Sequence, residues 1–238
     1  LLDANTYQPG AAAREALRNL QARDIPVVFC SAKTHAAQEP LRSDLAVADP
    51  FIVENGSALI MPDGTRHVLG VPVDAIHERL DSVRKETGLA FQTYQDIGLA
   101  DVAGLTGLTP EAAERACQRD YSATVVTPFS AAEMARFQQV CAHHGLQAPS
   151  GGRFITVTGS GADKGQAVRL LRDQLGDVRL IGIGDSHNDA PMLAAVDEDY
   201  LVQRPGGSWH PVEVEGMQRV AAVGPTGWAQ TVNALLNQ

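Results

Sequence analysis

The stretch that decides the fold is Val178-Arg179-Leu180-Ile181-Gly182-Ile183-Gly184-Asp185-Ser186-His187-Asn188-Asp189-Ala190-Pro191-Met192-Leu193. Its first part, 178–183, is an apolar run that predicts a buried strand. Two carboxylates and a carboxamide follow in the loop just past that strand. Ligands of open α/β sheets bind at the carboxyl ends of the strands. The stretch therefore predicts a sheet with a polar site at the end of one strand.

The polar loop suits a divalent cation. Mg²⁺ prefers oxygen ligands and typically takes one or two protein carboxylates, while waters and a substrate phosphate complete its shell. Asp185 and Asp189 are therefore the candidate metal ligands, and Mg²⁺ is the expected cofactor. The alternative is that Asp189 or Asn188 only caps the helix that begins near Pro191. Two Asp and one Asn after a Gly-x-Gly strand exit favour the metal.

The composition is that of a folded protein with an acidic surface. The 238 residues are 44% hydrophobic, and the formal net charge is -9. This length allows one large domain or two small ones, and the charge argues against nucleic-acid or membrane partners. The cysteines, Cys30, Cys117 and Cys141, have no metal-ligand spacing and favour a reducing compartment. We find neither a membrane-length apolar run nor a signal pattern, so we expect a cytoplasmic location.

Strand and helix patterns alternate in two blocks, 1–65 and 159–238, and predict a doubly wound parallel-sheet α/β core built from both ends of the chain. Core helices are expected at 10–23, 163–175, 190–195 and 226–236, with a short one near Thr34. Core strands are expected at 26–30, 51–53, 58–61, 178–183 and 199–203. Residues 66–158 mix helices near 73–87, 110–119 and 131–144 with strands near 123–126 and 153–158. This middle segment predicts a separate α+β insert.

The beginning of the chain departs from this alternation. Leu1-Leu2-Asp3 leads into the helix at 10–23 with no strand ahead of it, and the chain has no initiator Met. Because each later helix of the two blocks pairs with a strand, we expect that an N-terminal strand is missing from the printed residues.

Two further segments are expected to bring polar groups to the same edge of the sheet. Ser31 ends the strand at 26–30, with Lys33 and Thr34 just past it, and a hydroxyl there can hold a phosphate oxygen. Lys164 opens a helix, where a cation opposes the helix dipole, and a role facing an anion explains that placement. The alternatives are that Ser31 or Thr34 caps the next helix, and that Lys164 is a solvated surface residue.

These motifs resemble those of the haloacid dehalogenase superfamily of aspartyl-phosphate phosphatases. Ser31 matches the second motif of that superfamily, Lys164 the third, and Gly184-Asp185-x-x-Asn188-Asp189 the fourth. The insert lies between the second and third motifs, which resembles the C2B type of cap. The first motif, Asp-x-Asp-Gly-Thr followed by Leu-Leu, is absent, and Leu1-Leu2-Asp3 stands where that motif would have ended.

A second set of segments resembles the mannosyl-3-phosphoglycerate phosphatase family within that superfamily. They are Ala32-Lys33-Thr34, Phe51-Ile52-Val53-Glu54-Asn55-Gly56, Arg119-Asp120-Tyr121-Ser122, Gly151-Gly152-Arg153-Phe154 and Gly161-Ala162-Asp163-Lys164-Gly165. This resemblance implies Mg²⁺-dependent hydrolysis of a glycosyl-3-phosphoglycerate through an aspartyl-phosphate. The example is mannosyl-3-phosphoglycerate, hydrolysed to the compatible solute mannosylglycerate. The implied partner is a small phosphorylated sugar-glycerate, with either mannose or glucose as the sugar.

The resemblance also implies roles for single residues. Asp185 would bind Mg²⁺ directly, Asp189 would bind it directly or through a water, and Asn188 would orient the phosphate. Lys164 and Mg²⁺ would neutralise charge on the transferring phosphoryl group, and Ser31 would donate a hydrogen bond to it. The attacking Asp and the acid–base Asp would lie upstream of Leu1. We therefore expect residues 1–238 alone to hydrolyse no phosphate ester.

Specificity would come from the cap and from the loops that face it. Arg119 and Arg153 are the candidates for the glycerate carboxylate, because a planar guanidinium can give a carboxylate two parallel hydrogen bonds. Gly152 lets backbone amides approach an anion closely. The other expected substrate contacts are Lys33, Thr34, Glu54, Asn55 and Gly56. The alternatives are a solvated helix-end Arg119 and a plain tight turn at 54–56.

Two other functions stay open at this point. One is a different phosphoryl-transfer activity of the superfamily, as in a phosphomannomutase or a sucrose-phosphate-type phosphatase. The other is a non-catalytic fragment or binding module, because the printed residues lack the nucleophile motif.

Overall fold

The computed structural model describes residues 8–149 and 154–237. The helices are α1 Ala11–Gln21, α2 His35–Asp44, α3 Val73–Thr87, α4 Leu99–Thr106, α5 Pro110–Cys117, α6 Ala131–His143, α7 Lys164–Leu175, α8 Ala190–Leu193 and α9 Gly224–Leu236. The strands are β1 Phe29–Cys30, β2 Phe51–Val53, β3 Ala58–Ile60, β4 Arg66–Val68, β5 Ser122–Val125, β6 Leu146–Gln147, β7 Ile155–Gly159, β8 Ile181–Gly184, β9 Glu198–Gln203 and β10 Gln218–Val223. Among these helices, none is both long and apolar enough to cross a membrane.

Parallel strands form the centre of the molecule. β1 pairs in parallel with β2 in a sheet of order β1-β2-β3-β4, and β8, β9 and β10 pair in parallel in a second sheet. β1 and β8 are end strands of their two sheets, and both line one cavity of about 710 Å³. The predicted α/β class with parallel sheets is confirmed. The expected N-terminal strand and Leu1-Leu2-Asp3 lie outside the described residues.

Helices cover the first sheet on both faces because successive strand residues point to opposite sides. Phe51 and Val53 of β2 pack in a cluster with α1 and α9, whereas Ile52 packs in a second cluster with α7 and α8. The predicted apolar stripe of α1 is confirmed, since its buried residues are Ala13, Ala16, Leu17 and Leu20. This two-sided packing is the doubly wound arrangement.

Residues 66–158 contain a hydrophobic cluster of their own. Ile76 and Leu80 of α3 pack with Phe137 of α6 and with Val125 and Val157 of the third sheet, whose strand order is β5-β7-β6. At the first proposed boundary, β4 pairs with β3 and so belongs to the sheet of β1 and β2. The predicted division, with 66–158 as the cap and 1–65 with 159–238 as the core, stays a proposal, and β4 moves its first boundary from residue 66 to a position after residue 68.

The structure differs from the sequence predictions where local patterns are weak. The strand expected at 26–30 pairs only over β1, because Pro26 has no amide proton and the amide of Val27 donates to the Asp49 carboxylate (2.8 Å). α4 was not predicted, since it buries only Val102 and has no apolar stripe. β4, β6 and β10 were also missed. β10 begins with the polar pair Gln218-Arg219, and β4 and β6 have three and two residues.

Candidate active site

The loop after β8 is closed by the carboxylate of Asp189. Its Oδ2 accepts hydrogen bonds from the amides of Asp185 (3.0 Å) and Ser186 (3.1 Å), and it lies 3.1 Å from Oγ of Ser186. The residue at the end of β8 has to be glycine, because a Cβ on Gly184 would stand 2.6 Å from Cβ of Asp189. The Gly-Asp pattern of the sequence therefore has a steric cause.

The second oxygen of Asp189 forms a buried ion pair with Lys164. Nζ of Lys164 donates to Oδ1 of Asp189 at 2.6 Å, and the side chains are 6% and 8% exposed. Burial acts to raise the pKa of Asp189, but Lys164 and the amide donors hold that pKa below its usual value. Burial acts to lower the pKa of Lys164, yet Asp189 keeps it raised. Both groups therefore stay charged, and Lys164 is not a solvated surface residue.

Asp185 is the open carboxylate of this loop. Its side chain is 47% exposed, and Nε of Arg204 lies 3.8 Å from its Oδ2. Partial burial and the negative charge of Asp189 raise the pKa of Asp185. Within residues 8–149 and 154–237, no cluster of three or more His, Cys, Asp or Glu could hold a metal. One open carboxylate beside a second one still fits Mg²⁺, which needs few protein ligands.

The loop after β1 presents a hydroxyl. Oγ of Ser31 accepts a hydrogen bond from the amide of Lys33 (3.2 Å), which leaves its own proton available for a ligand oxygen. Thr34 is different, because it is fully buried and caps α2 by accepting from the amide of Ala37 (3.0 Å). Its hydroxyl proton is donated to the carbonyl of Arg115 (2.7 Å). We therefore assign Thr34 to capping rather than to substrate.

These groups line one cavity although they lie far apart in the sequence. Ser31, Lys33, Lys164, Asp185 and Asn188 line the same cavity, the one between β1 and β8, together with Asp189. Burial lowers the pKa of Lys33, and the nearby guanidinium of Arg119 lowers it further. The cavity is therefore basic on the side of the β1 loop and acidic on the side of the β8 loop.

The turn at 54–56 is buried, and the carboxylate of Glu54 is fully occupied. Glu54 is 1% exposed and accepts from the amides of Asp120 (3.0 Å) and Tyr121 (3.1 Å) and from Oγ of Ser122 (2.5 Å). A carboxylate with three donors has no accessible oxygen for a sugar. We therefore reassign Glu54 from an expected substrate contact to the junction between the turn and residues 120–122.

Asn55 joins the two loops of the site. Its backbone amide donates to the carbonyl of Ser31 (3.0 Å), and its side-chain Oδ1 accepts from Nδ2 of Asn188 (3.0 Å). Oδ1 of Asn188 in turn accepts from Oγ of Ser186 (2.5 Å), so the carboxamide of Asn188 is held at both ends. Gly56 has to be glycine, because a Cβ there would lie 2.1 Å from the carbonyl oxygen of Asp163.

Arg119 reaches from the proposed cap to the β1 loop. Its Nη1 donates to Oγ of Ser122 (2.7 Å) and to the carbonyl of Ala32 (3.4 Å), and the guanidinium lies 5.8 Å from the ring centre of Tyr94. Burial lowers the pKa of Arg119, against the raising effect of Glu54. Its Nε is buried and has no hydrogen-bond partner among the described residues. The solvated helix-end alternative is therefore excluded. Gly152 and Arg153 lie outside the described residues.

Sequence reasoning missed three residues of this region. Arg204 follows β9 directly and reaches Asp185, so the strand-end rule that located Ser31 was able to locate it too. Ser186 lies inside the quoted loop, but its hydroxyl contacts have no sequence signal. Ser122 opens β5, and its bond to Glu54 crosses 68 positions of the chain, which no local pattern reports.

Comparison with known proteins gives one family. A model described as haloacid dehalogenase-like hydrolase matches residues 1–124. A glucosyl-3-phosphoglycerate/mannosyl-3-phosphoglycerate phosphatase of Methanococcoides burtonii is 33% identical over 258 aligned residues, covering 100% of this chain and 94% of that relative. A mannosyl-3-phosphoglycerate phosphatase of Pyrococcus horikoshii is 33% identical over 215 residues, covering 82% of this chain and 84% of that relative.

Solved structures share the fold at low sequence identity. A Thermoplasma acidophilum protein superposes with a TM-score of 0.75 at 16% identity, over 100% of this chain and 94% of that one. A haloacid dehalogenase-like hydrolase from Bacteroides thetaiotaomicron superposes with a TM-score of 0.70 at 16% identity, over 98% of this chain and 95% of that one. At these identities the likeness concerns the fold alone.

Proposed function

The chain belongs to the haloacid dehalogenase-like hydrolases, and from that premise we propose that it is a Mg²⁺-dependent phosphatase of a glycosyl-3-phosphoglycerate. With mannose as the sugar, the product is mannosylglycerate. The relatives named above support this substrate class, since one of them carries both the glucosyl and the mannosyl name. The reaction is the hydrolysis of a phosphoric monoester.

The observation that carries the proposal is that Ser31, Lys164 and Asp185 line one cavity. In phosphoryl transfer the catalytic work is mostly positioning and stabilisation of charge on the phosphoryl oxygens. The free hydroxyl proton of Ser31 can donate to one of those oxygens. Lys164 supplies a positive charge that Asp189 holds in place. Asn188, fixed at both ends of its carboxamide, can orient the same group.

Asp185 is the residue proposed to hold Mg²⁺. Its carboxylate is open to solvent, whereas both oxygens of Asp189 are already taken. We therefore propose that Asp189 acts mainly through Lys164 and the loop amides. The bound ion supplies positive charge beside the phosphoryl group. Arg204 lies 3.8 Å from the same carboxylate.

The proposal includes an aspartyl-phosphate intermediate, which the family resemblance implies. A carboxylate oxygen forms a bond to phosphorus, the bond between phosphorus and the glycerate oxygen breaks, and that oxygen takes up a proton. Water then cleaves the acyl phosphate and releases inorganic phosphate. We place neither the attacking nor the acid–base carboxylate among the described residues.

The glycerate carboxylate is proposed to bind near Arg119 and Lys33. These two cations are close enough that Arg119 lowers the pKa of Lys33. Two neighbouring cations attract an anion, and a planar guanidinium can give a carboxylate two parallel hydrogen bonds. A substrate with a second anionic group, beside its phosphate, fits that arrangement. Arg153 remains a proposed contact that lies outside the described residues.

The test is a substrate panel on the protein. Phosphate release is measured with mannosyl- and glucosyl-3-phosphoglycerate, 3-phosphoglycerate and mannose 6-phosphate, with and without Mg²⁺. We expect Mg²⁺-dependent turnover and the highest kcat/KM for one of the two glycosyl-3-phosphoglycerates. Equal or higher kcat/KM for mannose 6-phosphate, or turnover that ignores Mg²⁺, contradicts the proposal.

Asp185→Asn is the sharpest single variant for the metal. It keeps the size of the side chain but removes the charge, so we expect kcat to fall by about a hundredfold or more. Calorimetric titration with Mg²⁺ alone is expected to lose its binding signal. Asp173→Asn, which removes an exposed carboxylate from α7, is the matched control. Normal Mg²⁺ binding by Asp185→Asn removes this residue from the metal site.

A further inference from the structure

The turn at 54–56 contacts four segments around the site described above. Glu54, Asn55 and Gly56 all have positive φ, at 49°, 58° and 95°. Two consecutive non-glycine residues in the left-handed region raise the free energy of the folded backbone. Such conformations persist where the surrounding structure holds them in place. The turn reaches the β1 loop, the β8 loop, the start of α7 and residues 120–122. Such a turn can set the position of each part relative to the others.

The Glu54 carboxylate is connected to Arg119 through Ser122. Oγ of Ser122 donates to Oε2 of Glu54 (2.5 Å) and accepts from Nη1 of Arg119 (2.7 Å). The hydroxyl therefore links the carboxylate to the guanidinium in one chain of hydrogen bonds. The amides of Asp120 and Tyr121 bind the same carboxylate, so the backbone next to Arg119 is held as well.

Asn55 contacts Ser31 and Asn188, the residues proposed to bind the reacting phosphate. Its backbone amide holds the carbonyl of Ser31, and its side chain holds the carboxamide of Asn188. The backbone of Glu54 adds a bond from its amide to the carbonyl of Lys33 (3.0 Å). Asn55 is 7% exposed, and neither of these contacts involves residues 66–158.

We propose that the turn separates two positioning tasks, with Glu54 setting substrate specificity through Arg119 and Asn55 setting phosphoryl transfer through Ser31 and Asn188. This inference rests on the proposed function for its substrate. Neither residue touches the reacting atoms, so both are positioning residues. The consequence is a split in kinetics. Changes at Glu54 affect substrates that carry the extra carboxylate, whereas changes at Asn55 affect every phosphate ester.

The first variant is Glu54→Gln. Glutamine keeps the volume and one acceptor oxygen, but its NH₂ group cannot accept the hydrogen bonds that the second carboxylate oxygen of Glu54 accepts. We expect KM for the preferred glycosyl-3-phosphoglycerate to rise about tenfold or more, because Arg119 loses its fixed position. We expect kcat/KM for p-nitrophenyl phosphate, which has no carboxylate, to change less than about threefold.

Two matched variants keep the Glu54 test independent of folding. Ser122→Ala removes only the linking hydroxyl and leaves both backbone bonds to Glu54, so we expect the same rise in KM, limited to the glycosyl-3-phosphoglycerate. Arg66→Ala removes an exposed ion pair of the same junction, Arg66 Nη1 to Asp120 Oδ2 at 3.1 Å. We expect this control to leave both substrates unchanged. Thermal unfolding of all variants reports their stability.

The second test is Asn55→Gly. Glycine tolerates the left-handed backbone and keeps the amide bond to Ser31, so only the carboxamide is lost. We expect kcat to fall about tenfold on both substrates, with little change in KM. The double variant with Asn188→Ala is expected to be no worse than Asn188→Ala alone, because both remove one interaction.

The outcomes separate the two proposals. If the unmodified protein does not prefer the glycosyl-3-phosphoglycerate, the proposed function fails, and the coupling of Asn55 to Asn188 is still measured on p-nitrophenyl phosphate. If the unmodified protein has that preference but Glu54→Gln and Ser122→Ala leave it unchanged, the role of Glu54 is wrong. Equal losses on both substrates in these two variants also overturn it. Additive effects of Asn55→Gly and Asn188→Ala overturn the role of Asn55.

Discussion

At the scale of single residues, the Lys164–Asp189 pair is the most sensitive point of the site. Two opposite charges lie 2.6 Å apart with side chains 6% and 8% exposed. Removing one partner of a buried pair leaves the other charge without compensation, whereas replacing both is much less costly. The same pair stands where the phosphoryl group is proposed to bind, so stability and catalysis depend on the same contact.

Lys164→Met is expected to lower the free energy of unfolding at pH 7 by about 3–5 kcal/mol. The cause is the carboxylate of Asp189, which stays buried without its cation. Urea unfolding measures the change. The double variant Lys164→Met/Asp189→Asn is the control, and we expect it to recover a large part of the loss. A double variant as unstable as Lys164→Met contradicts this account.

The pH dependence of that variant follows from the pKa directions. In the unmodified protein the pKa of Asp189 is lowered, so its stabilising contribution is present above its ordinary pKa of 3.8 and is lost as pH falls through the lowered value. The pKa of Lys164 is raised, so its contribution is present below its ordinary pKa of 10.5 and is lost as pH rises through the raised value. The contribution of the pair is therefore flat across neutral pH.

Without Lys164, burial becomes the main influence and raises the pKa of Asp189. We therefore expect the stability deficit of Lys164→Met to shrink as pH is lowered from 7 to 5, because the protonated acid is neutral. Urea unfolding of the variant and the unmodified protein at both pH values gives the difference. A deficit that is equal at the two pH values indicates that Asp189 has found another cation.

At the scale of secondary-structure elements, the close packing of α7 on α8 positions the charges of Lys164 and Asp189. Gly165, the second residue of α7, lies so near to α8 that a Cβ there would stand 2.2 Å from the carbonyl oxygen of Pro191. Lys164 precedes this glycine, and Asp189 precedes α8. The distance between the two helices therefore sets the distance between the two charges.

Gly165→Ala is expected to destabilise the protein by about 1–3 kcal/mol and to lower kcat, since the helices have to move apart. Gly104→Ala in α4 is the matched control, because a Cβ there meets no atom within 4 Å. We expect that control to stabilise the protein by about 0.5–1 kcal/mol, as alanine is the better helix former. Thermal unfolding compares the two, and a higher Tm for both variants contradicts the steric argument.

At the scale of the whole molecule, the hydrophobic cluster within residues 66–158 is separate from the two clusters that pack on the sheets with parallel strands. Phe137 is fully buried in the cluster of residues 66–158, and Leu201 is fully buried in the cluster that contains α7 and α8. Separate clusters allow one part to open while the other stays folded. The junction at Glu54 and residues 120–122 then connects the proposed core to the proposed cap.

Phe137→Ala is expected to destabilise the proposed cap by about 3–5 kcal/mol, through lost burial and the cavity left behind. Hydrogen exchange is expected to speed up in α3 and α6 while the amides of β2 and β9 stay protected. Leu201→Ala is the reciprocal variant, with faster exchange in β9. If Phe137→Ala exposes β2 as much as α6, the clusters unfold as one cooperative unit and the division into cap and core is wrong.

Helix positions were predictable where the apolar pattern was strong. α3 spans Val73–Thr87, the predicted range, because Ile76, Leu80 and Val83 repeat at helical spacing and Gly88 ends the helix in a left-handed conformation. Helix α4 was missed because a helix that buries one residue has no such pattern. Periodicity reports burial, so elements that bury little leave no trace in the sequence.

The sequence by itself determined which polar residues follow the ends of the strands. Ser31, Asp185 and Asn188 were identified because each follows a strand within a few residues, and a strand end is a local feature. Only the tertiary structure decided how Glu54, Asp189 and Arg119 are used. Glu54 binds donors 66 to 68 positions away, and Asp189 is paired with a lysine 25 positions earlier. Contacts of that kind depend on how separate elements pack, which no local pattern of residues encodes.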